Sequence, residues 1–229
     1  MAADWFEPIR AYCERTDAGF WAEPLNAVSN GAFLVAAFLL LRRERESLPR
    51  DPVARALAVL VGIVGMGSFL FHTLATRWSM LADVIPIALF IHAYFFLALR
   101  RFLGLGPLAA AGGTLAFAAF GFGLTPALDA LTGRSVSDAS NGSVDYLPAI
   151  LALAGMAAAV SLRGGPRDLS LRLGGTAGLF LVSLIFRTLD RALCPAVPTG
   201  THLFWHLLNA GVLYALVAAA MAHRASARP

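Results

Sequence analysis

Residues 55–74, RALAVLVGIVGMGSFLFHTL, decide the fold. Beyond Arg55 they hold no acid or arginine, and their length matches the ~20 residues that a helix needs to cross a bilayer. Comparable apolar runs recur at about 24–42, 80–99, 106–124, 145–162, 173–191 and 201–222. Soluble packing would leave most of that surface uncovered. The chain is 58% hydrophobic and 14% charged, against roughly 25% charged in a soluble domain. We therefore expect an all-α membrane protein: a seven-transmembrane-helix bundle forming one domain over 1–229, with 1–23 as an extracytoplasmic N-terminal segment.

Breakers separate the runs: LPRDP, LTGRSVSDASNGS, RGGPRD and CPAVPTG. Pro86 and Pro148 fall inside expected spans and are read as kinks that a bundle tolerates. GIVGMGS, AAAGGT and LGGTAG offer small residues for close helix approach. The N-terminal stretch is acidic and aromatic rather than basic and then apolar, so no cleavable signal peptide is expected.

All eighteen basic residues are arginines and the net charge is +4. Their place in short loops between apolar runs points to membrane orientation, not to a nucleic-acid surface. Twelve of them (Arg42, Arg43, Arg45, Arg50, Arg55, Arg100, Arg101, Arg163, Arg167, Arg172, Arg224 and Arg228) fall on one side, against six on the other. The positive-inside rule then puts the N-terminus outside and the C-terminus in the cytoplasm. Trp5, Trp21, Trp78 and Trp205 all lie near the outer boundary and read as an interfacial belt.

Ser68 and His72 in SFLFH, Asp83 in MLAD, and His202 and His206 in HLFWH reach the membrane from that outer side. Ser68–His72 and His202–His206 are each four residues apart, so each pair shares one helix face. At 1.5 Å per residue the group should lie roughly 5–10 Å below the outer interface. Ionisable groups in a bilayer are costly and mark working sites. Three imidazoles with one position open are the pattern of catalytic zinc. Asp83 is then the expected general base and acid, and Ser68 the expected donor to an oxyanion.

Other polar residues are assigned to structure. His92 is out of phase with Asp83 and reads as a packing histidine; His223 reads as interfacial. Asn26, Ser29 and Asn30 with Glu23 form a stripe expected to serve helix packing, and Arg187 and Asp190 are expected to neutralise each other. Cys13 and Cys194 both fall outside, where disulfides persist. A bridge between them would tie the N-terminal segment to the loop before the last span; the other reading is two unrelated thiols.

SFLFH, Asp83 eleven residues after His72, HLFWH opening the last helix, and YCER…AEPLNAVSN at the N-terminus together resemble the alkaline ceramidases. These belong to a superfamily of seven-helix membrane hydrolases that includes the adiponectin receptors. The resemblance implies zinc on His72, His202 and His206, with Asp83 and Ser68 as catalytic partners. It also implies a Cys13–Cys194 disulfide, Trp205 lining the substrate cavity, and cleavage of ceramide to sphingosine and a fatty acid. Animal members carry calcium in the N-terminal segment, and Glu14, Asp17 and Glu23 are the corresponding candidate ligands. Here Ala11 stands where an acid is expected and Thr16 where an amide is expected, and the spacing to Glu23 is shorter.

The arginine-only basic set suits a GC-rich bacterial genome, hence a multi-pass protein of the inner membrane. Many bacteria lack sphingolipids, which widens the expected lipid substrate to other N-acyl lipids. The alternative function is a non-enzymatic lipid-binding receptor or structural protein around zinc. A haem carrier would leave Ser68 and Asp83 without a role, and no lysine exists to hold retinal. A transporter would call for inverted repeats or broken helices.

Overall fold

The computed structural model describes residues 4–226, and in these the chain runs helix after helix. They are α1 (Pro24–Ser29), α2 (Gly31–Glu46), α3 (Pro52–Leu74), α4 (Arg77–Arg101), α5 (Pro107–Thr132), α6 (Val136–Ala139), α7 (Leu147–Leu162), α8 (Arg167–Leu193) and α9 (His202–Ser226). Seven stretches are long and apolar enough to cross a membrane: 24–46, 52–74, 77–101, 107–132, 144–162, 167–193 and 202–224. α1 and α2 together form the first of these. Prolines open α1, α3, α5 and α7, where a missing N–H costs nothing and the fixed φ suits the first turn. Pro148 thus starts α7 instead of kinking it, which corrects the sequence expectation. The fourth span runs on to Thr132, past the expected end near 124, with Pro126 inside it.

The spans stand in chain order around a ring. α2 packs on α3, α3 on α4, α4 on α5, α5 on α7, α7 on α8 and α8 on α9, and α9 closes against α2 and also touches α3. In lipid, close packing of small residues drives such contacts. A side chain at Gly67 would collide with the backbone of Ala82, so glycine sets how closely α3 and α4 approach. These two helices are joined only by Ala75 and Thr76, with Ala75 in the left-handed region at φ 45° and its N–H on the Phe71 carbonyl. That tight turn brings the end of α3 beside the start of α4. α5 hangs at the edge, with Ala110 its one buried residue.

The two ends of the ring are fastened differently. At one end, Asp51 caps α3 by accepting from the Ala54 N–H and pairs with Arg101 at 2.8 Å and Arg224 at 2.8 Å. This carboxylate therefore joins α3, α4 and α9. At the other end the N-terminal segment lies across the helix mouths. The Ile9 N–H donates to the Ala75 carbonyl and the Arg77 N–H to the Glu7 carbonyl. Cys13 and Cys194 are joined in a disulfide, Cα atoms 5.5 Å apart.

Candidate metal centre

Helical spacing and the α3–α4 turn bring the histidines to the end that the N-terminal segment covers. His72 sits in the last turn of α3, and His202 and His206 in the first turns of α9. All three are almost wholly buried. One ligand atom from each can be chosen so that all lie within 4.8 Å of one another. The ring centroids are 5.2 Å (His72–His202), 4.7 Å (His72–His206) and 4.6 Å (His202–His206) apart. His72 Nε2 and His202 Nδ1 are buried without a hydrogen-bond partner. A buried nitrogen without a partner is costly, and a metal ion would remove that cost at His72. The donor set, three neutral-capable imidazoles, suits zinc.

The outer nitrogens are already held. His72 Nδ1 lies 2.6 Å from Glu23 Oε2, and His206 Nδ1 lies 2.8 Å from Ser29 Oγ. Such partners fix tautomer and ring orientation for a metal ligand. Glu23 is itself gripped by Arg15, whose Nε is 2.5 Å from Oε1, and by Asn26 Nδ2. Arg15 also donates to the carbonyls of Gly19 and His72 at 3.2 and 2.9 Å, so it binds the cap segment to the end of α3. Burial pushes the Glu23 carboxyl up, but hydrogen bonds from His72, Arg15 and Asn26 outweigh it and hold Glu23 below the usual carboxylate range.

This geometry bears on the calcium expectation. Both Glu23 oxygens are occupied, by Arg15, Asn26 and His72. Glu14 accepts the N–H groups of Leu25 and Asn26 at the start of α1, and Asp17 accepts that of Gly19. Among the described residues Glu14, Asp17 and Glu23 do not gather into a cation-holding group. The cation on the Glu23 carboxylate is the Arg15 guanidinium.

Asp83 opens toward the same place from α4. Its Oδ1 is buried with no hydrogen-bond partner, and its neighbours are His72, Arg187 and the Ser68 hydroxyl. Ser68 Oγ is also 3.5 Å from His206 Nε2. Ser68, His72, Asp83, His202 and His206 therefore converge, contributed by α3, α4 and α9.

Directly below lies an apolar cavity. Val64, Ile87, Phe33 and Asn209 line it. Each is about one turn from a site residue on its own span: Ser68, Asp83, Ser29 and His206 respectively. The polar cluster is therefore the lid of an apolar chamber. Trp205 also lines the chamber and is only 5% exposed, so it does not belong to an interfacial belt.

Two further expectations are corrected. Ser29 serves His206 and not helix packing alone. Arg187 and Asp190 do not pair: among the described residues Arg187 joins no ion pair. Asp190 instead accepts the N–H groups of Cys13, Thr201 and His202 at 3.0, 2.7 and 2.9 Å, which caps α9 and places His202. Tyr12, overlooked in the sequence, stacks on His202 with centroids 3.6 Å apart and accepts from Arg187 Nη1 at 2.9 Å. The signal for Asp190 and Arg187 was available, because any charge inside a span marks a site. Nothing local marked Tyr12. His92 packs as expected, against Phe117 and Phe122.

No family model matches the chain, and no curated protein matches it either.

Proposed function

We propose that this chain is a zinc-dependent intramembrane lipid amidase, ceramidase-like, which splits ceramide or a related N-acyl lipid into a free fatty acid and an amine such as sphingosine. The observation that carries the reading is the placement of three convergent buried imidazoles on the roof of an apolar chamber. A lipid tail suits the chamber, and an amide at its head would meet the histidines, Asp83 and Ser68.

His72, His202 and His206 would hold the zinc through ring nitrogens, with Glu23 and Ser29 orienting two of the rings. Zinc bound there supplies Lewis acidity toward water and toward a carbonyl oxygen. Asp83 takes a proton from the attacking water at its carboxylate. Ser68 donates its hydroxyl hydrogen to the oxygen that gains negative charge. As the C–N bond breaks, Asp83 returns the proton to the departing nitrogen, so one water is consumed and no base is spent. Trp205 and the chamber walls keep the acyl chain away from the water. The arginine distribution supports the reading that this end of the bundle faces the extracytoplasmic side, in what we take to be a bacterial inner membrane.

The test uses purified protein in lipid nanodiscs, given ceramides and other N-acyl lipids, with fatty acid release and bound metal measured together. Asp83→Asn should lower release by about 10²–10⁴-fold while bound zinc stays at the wild-type level. If zinc remains bound and no amide or ester lipid is ever cleaved, the receptor or structural reading replaces this one.

A further inference from the structure

Arg187 makes no direct ion pair among the described residues, although the charge of Asp83 acts on it from nearby. It sits on α8. Asp190, one turn away, spends its oxygens on the N–H groups of Cys13, Thr201 and His202. The guanidinium carbon instead stands 5.7 Å from the Tyr12 ring centroid, 5.4 Å from Tyr146 and 5.0 Å from Trp205. Only the bond from Nη1 to the Tyr12 hydroxyl is made by the guanidinium, and Nε is buried with no acceptor. Gly142, at φ 75°, lies so close that a Cβ there would be 2.8 Å from Nη2. Aromatic faces favour a cation, but they supply no acceptor for Nε and no planar partner for the guanidinium fork.

Its surroundings say where a paired charge would come from. Tyr12 stacks on His202, and Tyr146 and Trp205 line the apolar chamber. The guanidinium thus stands between the three histidines and the top of the chamber. An amide hydrolysed at this place releases a neutral acyl group as a carboxylate, a new charge formed where water is scarce. Carboxylate is also the partner that guanidinium geometry matches best.

We infer that Arg187 is the anchor of a long-chain carboxylate site: it binds the acid group of the released fatty acid while the chain remains in the chamber below. The inference rests on the amidase reading for the origin of that acid, but the site itself can be measured without turnover.

The experiment titrates purified full-length protein in nanodiscs with palmitate and with hexadecanol, each displacing a fluorescent fatty acid. The two ligands share a chain and differ at the head. Wild type should hold palmitate at least about tenfold more tightly than hexadecanol, the strength of a charge-assisted contact. Arg187→Gln should shrink that ratio to about threefold or less with bound zinc and hexadecanol affinity unchanged, which separates the loss from any metal contribution. Arg187→Lys, which keeps the charge but not the planar fork, should fall between and serves as the deciding variant if Arg187→Gln does not fold. The inference is overturned if wild type shows no preference, or if a folded variant retains the wild-type ratio. A lost ratio with no lipid ever cleaved would sink the amidase reading and leave the carboxylate site standing. Cleavage with a ratio indifferent to Arg187 would do the reverse.

Discussion

At His72 the 2.6 Å contact between Nδ1 and Glu23 leaves Nε2 as the nitrogen free to face a metal, and Arg15 keeps Glu23 in that place. Glu23→Gln preserves the shape of the side chain but removes the charge that Arg15 and His72 share. It should weaken zinc binding about 10–100-fold, the usual loss when a ligand's carboxylate partner is removed. Competition with a chromophoric chelator measures this, and undiminished affinity would show that Glu23 is merely structural. The histidine cluster was legible in the sequence, because four-residue spacing puts Ser68 with His72 and His202 with His206 on common faces. Glu23's part was not, since a contact between the N-terminal cap and the end of α3 leaves no periodic trace.

Among the elements, the α3–α4 pair fixes the distance between His72 and Asp83, and Gly67 governs it through its contact with Ala82. Gly67→Ala should therefore push the helices apart, at a cost of about 1–3 kcal/mol as for other overpacked cores. It should also reduce lipid cleavage with the catalytic side chains intact. Unfolding of the detergent-solubilised protein would read the first effect, and a variant as stable as wild type would refute the close-packing account. All seven spans were legible because a bilayer demands length and hydropathy together. Their ends were less so. α5 continues through Pro126 because membrane helices tolerate proline where neighbours meet the freed groups, and Pro148 begins a helix where hydropathy alone suggested mid-span.

For the whole molecule, the Asp51 junction and the N-terminal cap hold opposite ends of one ring. Burial pushes the Asp51 carboxyl up, but the hydrogen bond from Arg101, the Ala54 amide and the charges of Arg101 and Arg224 hold it below the usual range. A depressed value means that its stabilisation is complete above the unfolded pKa of about 3.9 and drains away as pH falls through the lower folded value. Asp51→Asn keeps a capping oxygen but loses the pairs with Arg101 and Arg224, and should cost about 1–2 kcal/mol at neutral pH. That deficit should narrow below about pH 4; a gap constant with pH would remove the junction from the stability of the fold. The sequence reading used these arginines for orientation and could not see that they share one carboxylate, because Asp51, Arg101 and Arg224 are far apart in the chain. The histidines are similarly divided between the second span and the last. A ribosome threading this protein into the bilayer delivers two of the three histidines only with the final helix, so on the proposed reading ion capture becomes the closing event of biogenesis, and a prematurely halted polypeptide would leave the translocon unmetallated.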